Sequence, residues 1–113
     1  MDIQINTDRH VAVDDQLRDR VREELDSVLA HFEHTVTRVE VHFRDDSAAR
    51  AVGPHIRCLL EARPSGREPV TVEAFAATAT QALVGAGAKL ESRLQHVFDR
   101  VGATRLRATI RGR

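Results

Sequence analysis

The stretch that decides the fold is TVTRVEVHFR, residues 35–44. Apolar and polar side chains alternate along it, with Val39, Val41 and Phe43 on one side and charged or titratable residues between them. Because side chains of a strand point alternately to its two faces, this pattern predicts a strand with one apolar and one wet face. The other elements follow outward from this strand in both directions.

Toward the N-terminus, the chain predicts one strand and one helix. Residues 2–7 alternate between apolar and polar side chains and predict a first strand. Asp14 or Asp15 can cap a helix that begins near Gln16 and runs to about Phe32. Its apolar residues recur at helical spacing, namely Leu17, Val21, Leu25, Val28, Leu29 and Phe32.

Toward the C-terminus, two more strands and a second helix are predicted. Residues 55–63 alternate with Ile56, Cys58, Leu60 and Ala62 inward, and residues 70–74 give the last strand. The turn residues 64–68 between them predict a hairpin. The final helix is capped by Thr78 or Thr80, continues to about Val101 and ends at Gly102. Gly85 and Gly87 inside it would let the helix approach the sheet closely.

The order is therefore β-α-β-β-β-α, and the fold class is α+β. Each strand has one apolar face and each helix one apolar stripe. The arrangement that buries all of them is a four-stranded sheet with both helices packed on one face. Residues 1–103 form this single domain, and residues 104–113 form a basic C-terminal tail that we expect to be flexible.

Composition limits the classes of function. The 113 residues carry no net charge, and the sequence has no apolar run long enough to span a membrane. The N-terminus lacks the features of a signal peptide, and the single cysteine cannot form an internal disulfide, so a cytoplasmic protein is expected. The charge is unevenly distributed: residues 1–103 hold 13 basic and 17 acidic residues, whereas residues 104–113 hold four arginines and no acid.

The most informative cluster is a stripe of cationic or titratable side chains on the second helix. Spacings of four, three and four residues keep its members within roughly 60° of arc around the helix. A helix of this kind offers a face to an anionic partner beside the face that it buries. The stripe consists of Lys89, Arg93, His96 and Arg100.

A smaller basic pair, Arg18 and Arg22, lies one helical turn apart on the first helix. Acidic residues surround Arg22, so ion pairing within the helix competes with binding to an outside anion. We keep both residues as candidates for nucleic-acid contact, with the basic tail as an additional arm.

The ordered set of elements resembles a known family. Six segments of the chain are similar to bacterial hibernation-promoting factors. They are the opening Ile3–Thr7, residues 11–14, residues 17–19, the strand around Glu40, the proline–glycine hairpin and the segment from Ala88 to Arg100. These proteins are also called ribosome-associated inhibitors or ribosomal subunit interface proteins. The resemblance covers about residues 2–101 in the family's order of elements.

The resemblance implies a fold like that of double-stranded-RNA-binding domains and binding to ribosomal RNA of the small subunit. It implies that translation is blocked by occupancy of the mRNA and tRNA channel rather than by catalysis. Carried over by position, the family's basic pattern falls on Arg18, Lys89, His96 and Arg100, while Arg93 is one residue from a family arginine whose place is held by Ser92.

An alternative keeps the fold without ribosome binding. Glu24 and Ser27 stand where family members carry lysines, and Phe98 stands where the second helix is often basic. A protein-interaction or self-association module, such as a homodimer that uses the wet sheet face with Phe75 or Phe98, is the second hypothesis.

Catalysis has little support in the sequence. Phosphate-binding glycine motifs, serine-nucleophile elbows and paired metal-binding cysteines are absent, and Cys58 has no indicated base partner. His31 and His34 are spaced for a metal, but no third ligand is apparent. We therefore expect no enzyme activity, no cofactor, no metal and no small-molecule substrate.

Overall fold

The predicted α+β class and the β-α-β-β-β-α order are both confirmed. The computed structural model describes residues 1–8, 11–46, 53 and 55–111, with side chains as far as residue 98. The elements are β1 (Asp2–Thr7), α1 (Asp15–Val28), β2 (Val36–Asp45), β3 (Ile56–Pro64), β4 (Val70–Ala76) and α2 (Ala79–Arg111).

The four strands form one sheet in the order β1-β2-β3-β4. β1 pairs parallel to β2, and the other two pairs are antiparallel. A parallel pair needs a crossover connection, which α1 supplies between β1 and β2. β1 and β4 are therefore the two edges of the sheet.

Both helices pack on the same face of the sheet. Their buried side chains and the inward side chains of the strands form one hydrophobic cluster, to which α1 gives Leu25 and α2 gives Leu90, both with no exposed surface. The inward residues of β3 that the alternation predicts are Ile56, Cys58, Leu60 and Ala62; the last three are fully buried and Ile56 packs against the cluster. The opposite face, which we call the open face, is covered by neither α1 nor α2.

The N-cap of α1 is Asp14, not Asp15. Its side-chain Oδ1 accepts a hydrogen bond from the backbone N–H of Leu17 at 2.8 Å. The helix ends at Val28, four residues before the predicted end at Phe32. Leu29 and Phe32 are still buried, but they lie in a series of turns, because apolar side chains can face the core without helical backbone.

Replacement of Asp14 by alanine should lower the free energy of unfolding by about 1 kcal/mol, since one N–H of the first turn loses its acceptor. Chemical denaturation measures this loss. Asp15→Ala is the matched control, because Asp15 lies in the first turn but interacts only with the helix dipole. This variant should lose less free energy of unfolding than Asp14→Ala. Equal losses would contradict the assignment of the cap.

The helix α2 begins after Thr78, whose hydroxyl accepts a hydrogen bond from Gln81 N–H at 3.1 Å. It continues beyond Gly102, the end that the sequence predicts, and reaches Arg111. A single glycine costs a helix only about 1 kcal/mol relative to alanine, and the residues after it favour helix. The proposed basic tail, residues 104–113, lies outside the described side chains, so its separate status stays a prediction.

The close approach to the sheet that was expected at both helical glycines is present at Gly85, whereas Gly87 lies against α1. A Cβ atom at Gly85 would lie 3.2 Å from the Cβ of Ala74 on β4. A Cβ atom at Gly87 would lie 3.2 Å from the Glu24 Oε1 and 3.3 Å from the Val28 Cγ2 of α1. The glycines thus fit α2 against the sheet on one flank and against α1 on the other.

Candidate nucleic-acid interface

Three members of the predicted stripe, Lys89, Arg93 and His96, line one groove. The groove runs between α2 and the edge strand β4, and its volume is about 600 Å³. All three side chains are exposed. We call this the basic groove; its other lining residues are Val72, Ala88 and Ser92. The side chain of Arg100, the fourth predicted member, lies outside the described part of the chain.

Lys89 is held in place by the edge of the sheet. Its Nζ donates a hydrogen bond to the backbone carbonyl oxygen of Glu73 at 2.8 Å. An ammonium group has three N–H donors, so two others remain for a ligand. A cation held by a backbone carbonyl loses less conformational freedom when it binds an anion.

The charges of Lys89 and Arg93 in the basic groove have no acidic partner among the described side chains. Among the side chains described up to residue 98, none of Lys89, Arg93 and His96 has an ion pair with a carboxylate. Uncompensated cations that share one concave surface attract phosphate, and each phosphate neutralised releases counterions.

The groove lies on a different flank of α2 from the expected one. Two helices side by side on one face of the sheet predict that the stripe projects from a ridge between them, whereas α1 contacts the Gly87 side of α2. Lys89 is two residues, or about 200° of rotation, from Gly87 and faces β4. Val72 and Ser92 were missed, since spacing along one helix carries no information about which strand lies beside it.

The structure does not bring Arg18 and Arg22 to the basic groove. The α2 side of α1 carries Glu24, which lies against Gly87, and Arg20, which pairs with Glu24 at 3.5 Å. Arg18 and Arg22 are each two residues from Arg20 and therefore lie on the flank of α1 that faces away from α2. Both are exposed, and no ion pair joins either of them to another described side chain.

The outer surface of α1 is acidic. Four exposed carboxylates follow one another along the solvent side of the helix, opposite its buried stripe: Asp15, Asp19, Glu23 and Asp26. Phosphate would be repelled there. The favourable surface for nucleic acid on the helical side is consequently the β4 flank of α2, with the smaller Arg18 and Arg22 pair on the far flank of α1.

The open face of the sheet also carries charged side chains, but at one end of it they pair with one another. Arg38 pairs with Asp2 and Glu40, and Arg63 pairs with Glu40 and Glu61. Two of these pairs cross neighbouring strands, Arg38 with Asp2 and Arg63 with Glu40, and the three carboxylates outnumber the two arginines at this end of the face. An extended polyanion would gain little from such a paired surface. In this respect the open face differs from the basic groove.

Phe98 belongs to the margin of the core rather than to an exposed contact surface. Its ring stacks on Phe32 with centroids 5.5 Å apart, and the guanidinium carbon of Arg67 lies 5.4 Å from its centroid. Arg67 follows the β3–β4 turn, in which Gly66 has φ of 71°. The aromatic stack therefore ties the hairpin to α2. Phe75 lies on the open face as expected and is half-buried.

Cys58 is buried, as the alternation predicts, and burial raises the pKa of its thiol to about 12. The reactive thiolate is thus scarce in the folded protein at pH 8. We expect a thiol reagent such as dithionitrobenzoate to react with Cys58 only slowly in the native protein and quickly in denaturant. Rapid stoichiometric reaction without denaturant would contradict this burial.

Other functional features are limited in the part of the chain that the structure describes. His31 and His34 are both exposed, and no group of three or more histidine, cysteine or acidic side chains there could hold a metal ion. Over the same residues, no helix has the length and apolar character needed to cross a lipid bilayer.

The comparisons with known proteins assign the chain to a class. The family model described as sigma 54 modulation protein / S30EA ribosomal protein matches residues 3–101. The chain belongs to this family, and the resemblance noted in the sequence is confirmed. No curated protein matches the sequence.

Two solved structures show the same fold. The N-terminal domain of Protein Y from Thermus thermophilus is 21% identical, with a TM-score of 0.68, and the match covers 86% of this chain and 99% of that one. A ribosomal subunit interface protein from Coxiella burnetii is 15% identical, with a TM-score of 0.69, over 88% of this chain and 99% of that one.

Proposed function

We propose that this protein is a ribosome-associated hibernation factor that binds ribosomal RNA of the small subunit and blocks translation by occupancy. The observation that carries the proposal is the basic groove, where Lys89, Arg93 and His96 lie together without an acidic partner among the described side chains. The family of the chain and the names of its structural neighbours, Protein Y and a ribosomal subunit interface protein, support the ribosome as the partner.

The mechanism needs binding but no chemistry. Phosphates of folded RNA would enter the basic groove, with Lys89 as a preorganised donor and Arg93 and His96 beside it. RNA recognised by backbone and 2′-OH contacts requires few specific side chains. A domain seated in the decoding channel excludes mRNA and tRNA by its volume. Arg18, Arg22 and Arg100 would contact other phosphates if the RNA surrounds the helical side.

Sedimentation with purified 30S subunits and 70S ribosomes at low and high salt tests this function. Three phosphate contacts predict that the logarithm of the binding constant falls with the logarithm of salt concentration with a slope of roughly −2 to −3. We expect co-sedimentation at low salt and its loss at high salt. Absence from both ribosomal fractions at low salt would remove the proposal.

A second candidate function is self-association, favoured by the acidic outer surface of α1 and by the charge-balanced open face. Phe98 no longer supports it, because this ring stacks on Phe32. Light scattering combined with an RNA-binding assay separates the two candidates. A dimer that is insensitive to salt and has no affinity for RNA would favour self-association.

A further inference from the structure

A second site lies on the open face, away from both helices. Asn6, His42 and Leu59 are consecutive partners in one row across β1, β2 and β3, and all three point outward. Arg44 and Arg57 are partners in the next row. Together these five residues line a pocket of about 410 Å³, within the range of small-ligand sites, and its other lining residues are Thr7, Asp8 and Phe43. We call it the open-face pocket. The Asp8 carboxylate at its margin accepts a hydrogen bond from the backbone N–H of Asp45 at 3.2 Å.

Arg44 and Arg57 form an unfavourable arrangement by themselves. Like charges directly opposite each other on neighbouring strands destabilise a sheet. Each guanidinium is held by one carboxylate through its Nε atom: Arg57 by Glu73 at 2.7 Å and Arg44 by Asp46 at 2.8 Å. Among the described residues, no acceptor is paired with the terminal amino groups of either guanidinium, which remain as donors in the geometry that suits phosphate oxygens.

The rest of the pocket is suited to a planar, partly polar group. Leu59 and the His42 ring, both half-buried, supply a surface of low polarity. The Asn6 side chain supplies an amide that can both donate and accept hydrogen bonds at the edge of a base. A phosphate site next to such a surface is the combination that a nucleotide requires.

We propose that the open-face pocket binds a nucleoside phosphate, with the phosphate between Arg44 and Arg57 and the base on Leu59 and His42 beside Asn6. A free nucleotide and one unpaired nucleotide of an RNA strand present this same chemistry, and the experiment below distinguishes them. The site is on the sheet face opposite the helices, so the proposal does not depend on RNA binding in the basic groove.

The other two arginines of the open face, Arg38 and Arg63, are also opposite each other across β2 and β3, but each of them pairs with two carboxylates. Arg63 lies on β3 and points to the same face as Arg57. It pairs with two carboxylates, Glu40 at 3.4 Å and Glu61 at 2.8 Å, whereas Arg57 pairs with one. Arg63 is not part of the pocket lining. Arg63→Gln is therefore a matched control for Arg57→Gln.

Isothermal titration of the whole chain with each of the four nucleoside monophosphates, inorganic phosphate and a short single-stranded RNA tests the proposal. We expect nucleotide or RNA to bind, Arg57→Gln to weaken that binding about tenfold or more, and Arg63→Gln to leave it within about twofold. Binding of a monophosphate identifies a free nucleotide, and binding of the RNA alone identifies a strand. Arg44→Gln gives the same readout if Arg57→Gln does not fold.

Three results would overturn the proposal. The first is no binding of any nucleotide or RNA at millimolar concentration. The second is equal weakening by Arg57→Gln and Arg63→Gln, and the third is inorganic phosphate binding as tightly as the nucleotides. Because Arg93→Glu alters the basic groove but leaves Lys89 and Glu73, the carboxylate partner of Arg57, unchanged, nucleotide affinity should survive in that variant even if ribosome binding is weakened.

Discussion

The double substitution of Lys89 and Arg93 by glutamate is expected to weaken binding to 30S subunits by at least about 100-fold at low salt. Each change removes a charge-assisted contact worth about 1.5 kcal/mol or more and adds repulsion between carboxylate and phosphate. Both side chains are exposed, so the fold should survive. Sedimentation or fluorescence anisotropy with a labelled protein measures the loss, and circular dichroism checks the fold.

The matched control is Arg18→Glu with Arg22→Glu, which changes the net charge by the same amount on the other flank of the helical layer. If the basic groove makes the main contact, this second variant should lose much less affinity. Equal losses would mean that only total charge matters and would contradict a defined groove. A larger loss from the α1 variant would move the interface to the far flank of α1.

The second large effect concerns stability. Leu60→Ala should lower the free energy of unfolding by about 2–5 kcal/mol, because Leu60 is fully buried under the helices and its truncation leaves a cavity. Urea denaturation followed by circular dichroism gives the value. The chain offers a neighbouring control in Leu59, which lies on the same strand but points to the open face.

Leu59→Ala should cost less than about 1 kcal/mol, since a half-buried side chain on an uncovered face loses little contact. The pair therefore tests which face of the sheet the helices cover. Similar losses for Leu59 and Leu60 would indicate a second covered face and would contradict the two-layer architecture.

The fold could be predicted because alternation and helical spacing are local signals. The ten-residue pattern around Val41 assigns the inward and outward faces of β2, and Cys58 and Leu60 do the same for β3. The ends of the helices were harder to predict than the strands. Apolar spacing continues through Leu29 and Phe32 although the helix has ended, and Gly102 interrupts a pattern in which the helix continues.

The site was only partly predictable, for a geometric reason. Spacing places Lys89, Arg93 and His96 on one side of α2, and the structure brings them to one groove. The apolar stripe of a helix defines the direction of the sheet but not which flank meets the neighbouring helix. Which flank of α2 meets α1 depends on the order of the strands in the sheet. The sequence could therefore not show that Lys89 reaches Glu73 or that Arg18 lies on the flank of α1 that faces away from α2.

The open-face pocket could not be found from the sequence at all. Its side chains come from three strands, and the pairing of Arg44 with Arg57 depends on the register between β2 and β3. That register is set by the β2–β3 ladder as a whole rather than by either arginine. Only the assembled sheet shows that two like charges lie opposite each other beside Leu59 and His42.

The most direct test of the basic groove is a photo-crosslink from within it. Ser92→Cys places a probe among Lys89, Arg93 and His96, and Asp26→Cys places one on the acidic outer surface of α1. Cys58 should stay unlabelled because it is buried as a neutral thiol. With 30S subunits, we predict crosslinks to ribosomal RNA from position 92 and few from position 26. Crosslinks to RNA from position 26 alone, or from neither, would contradict the account.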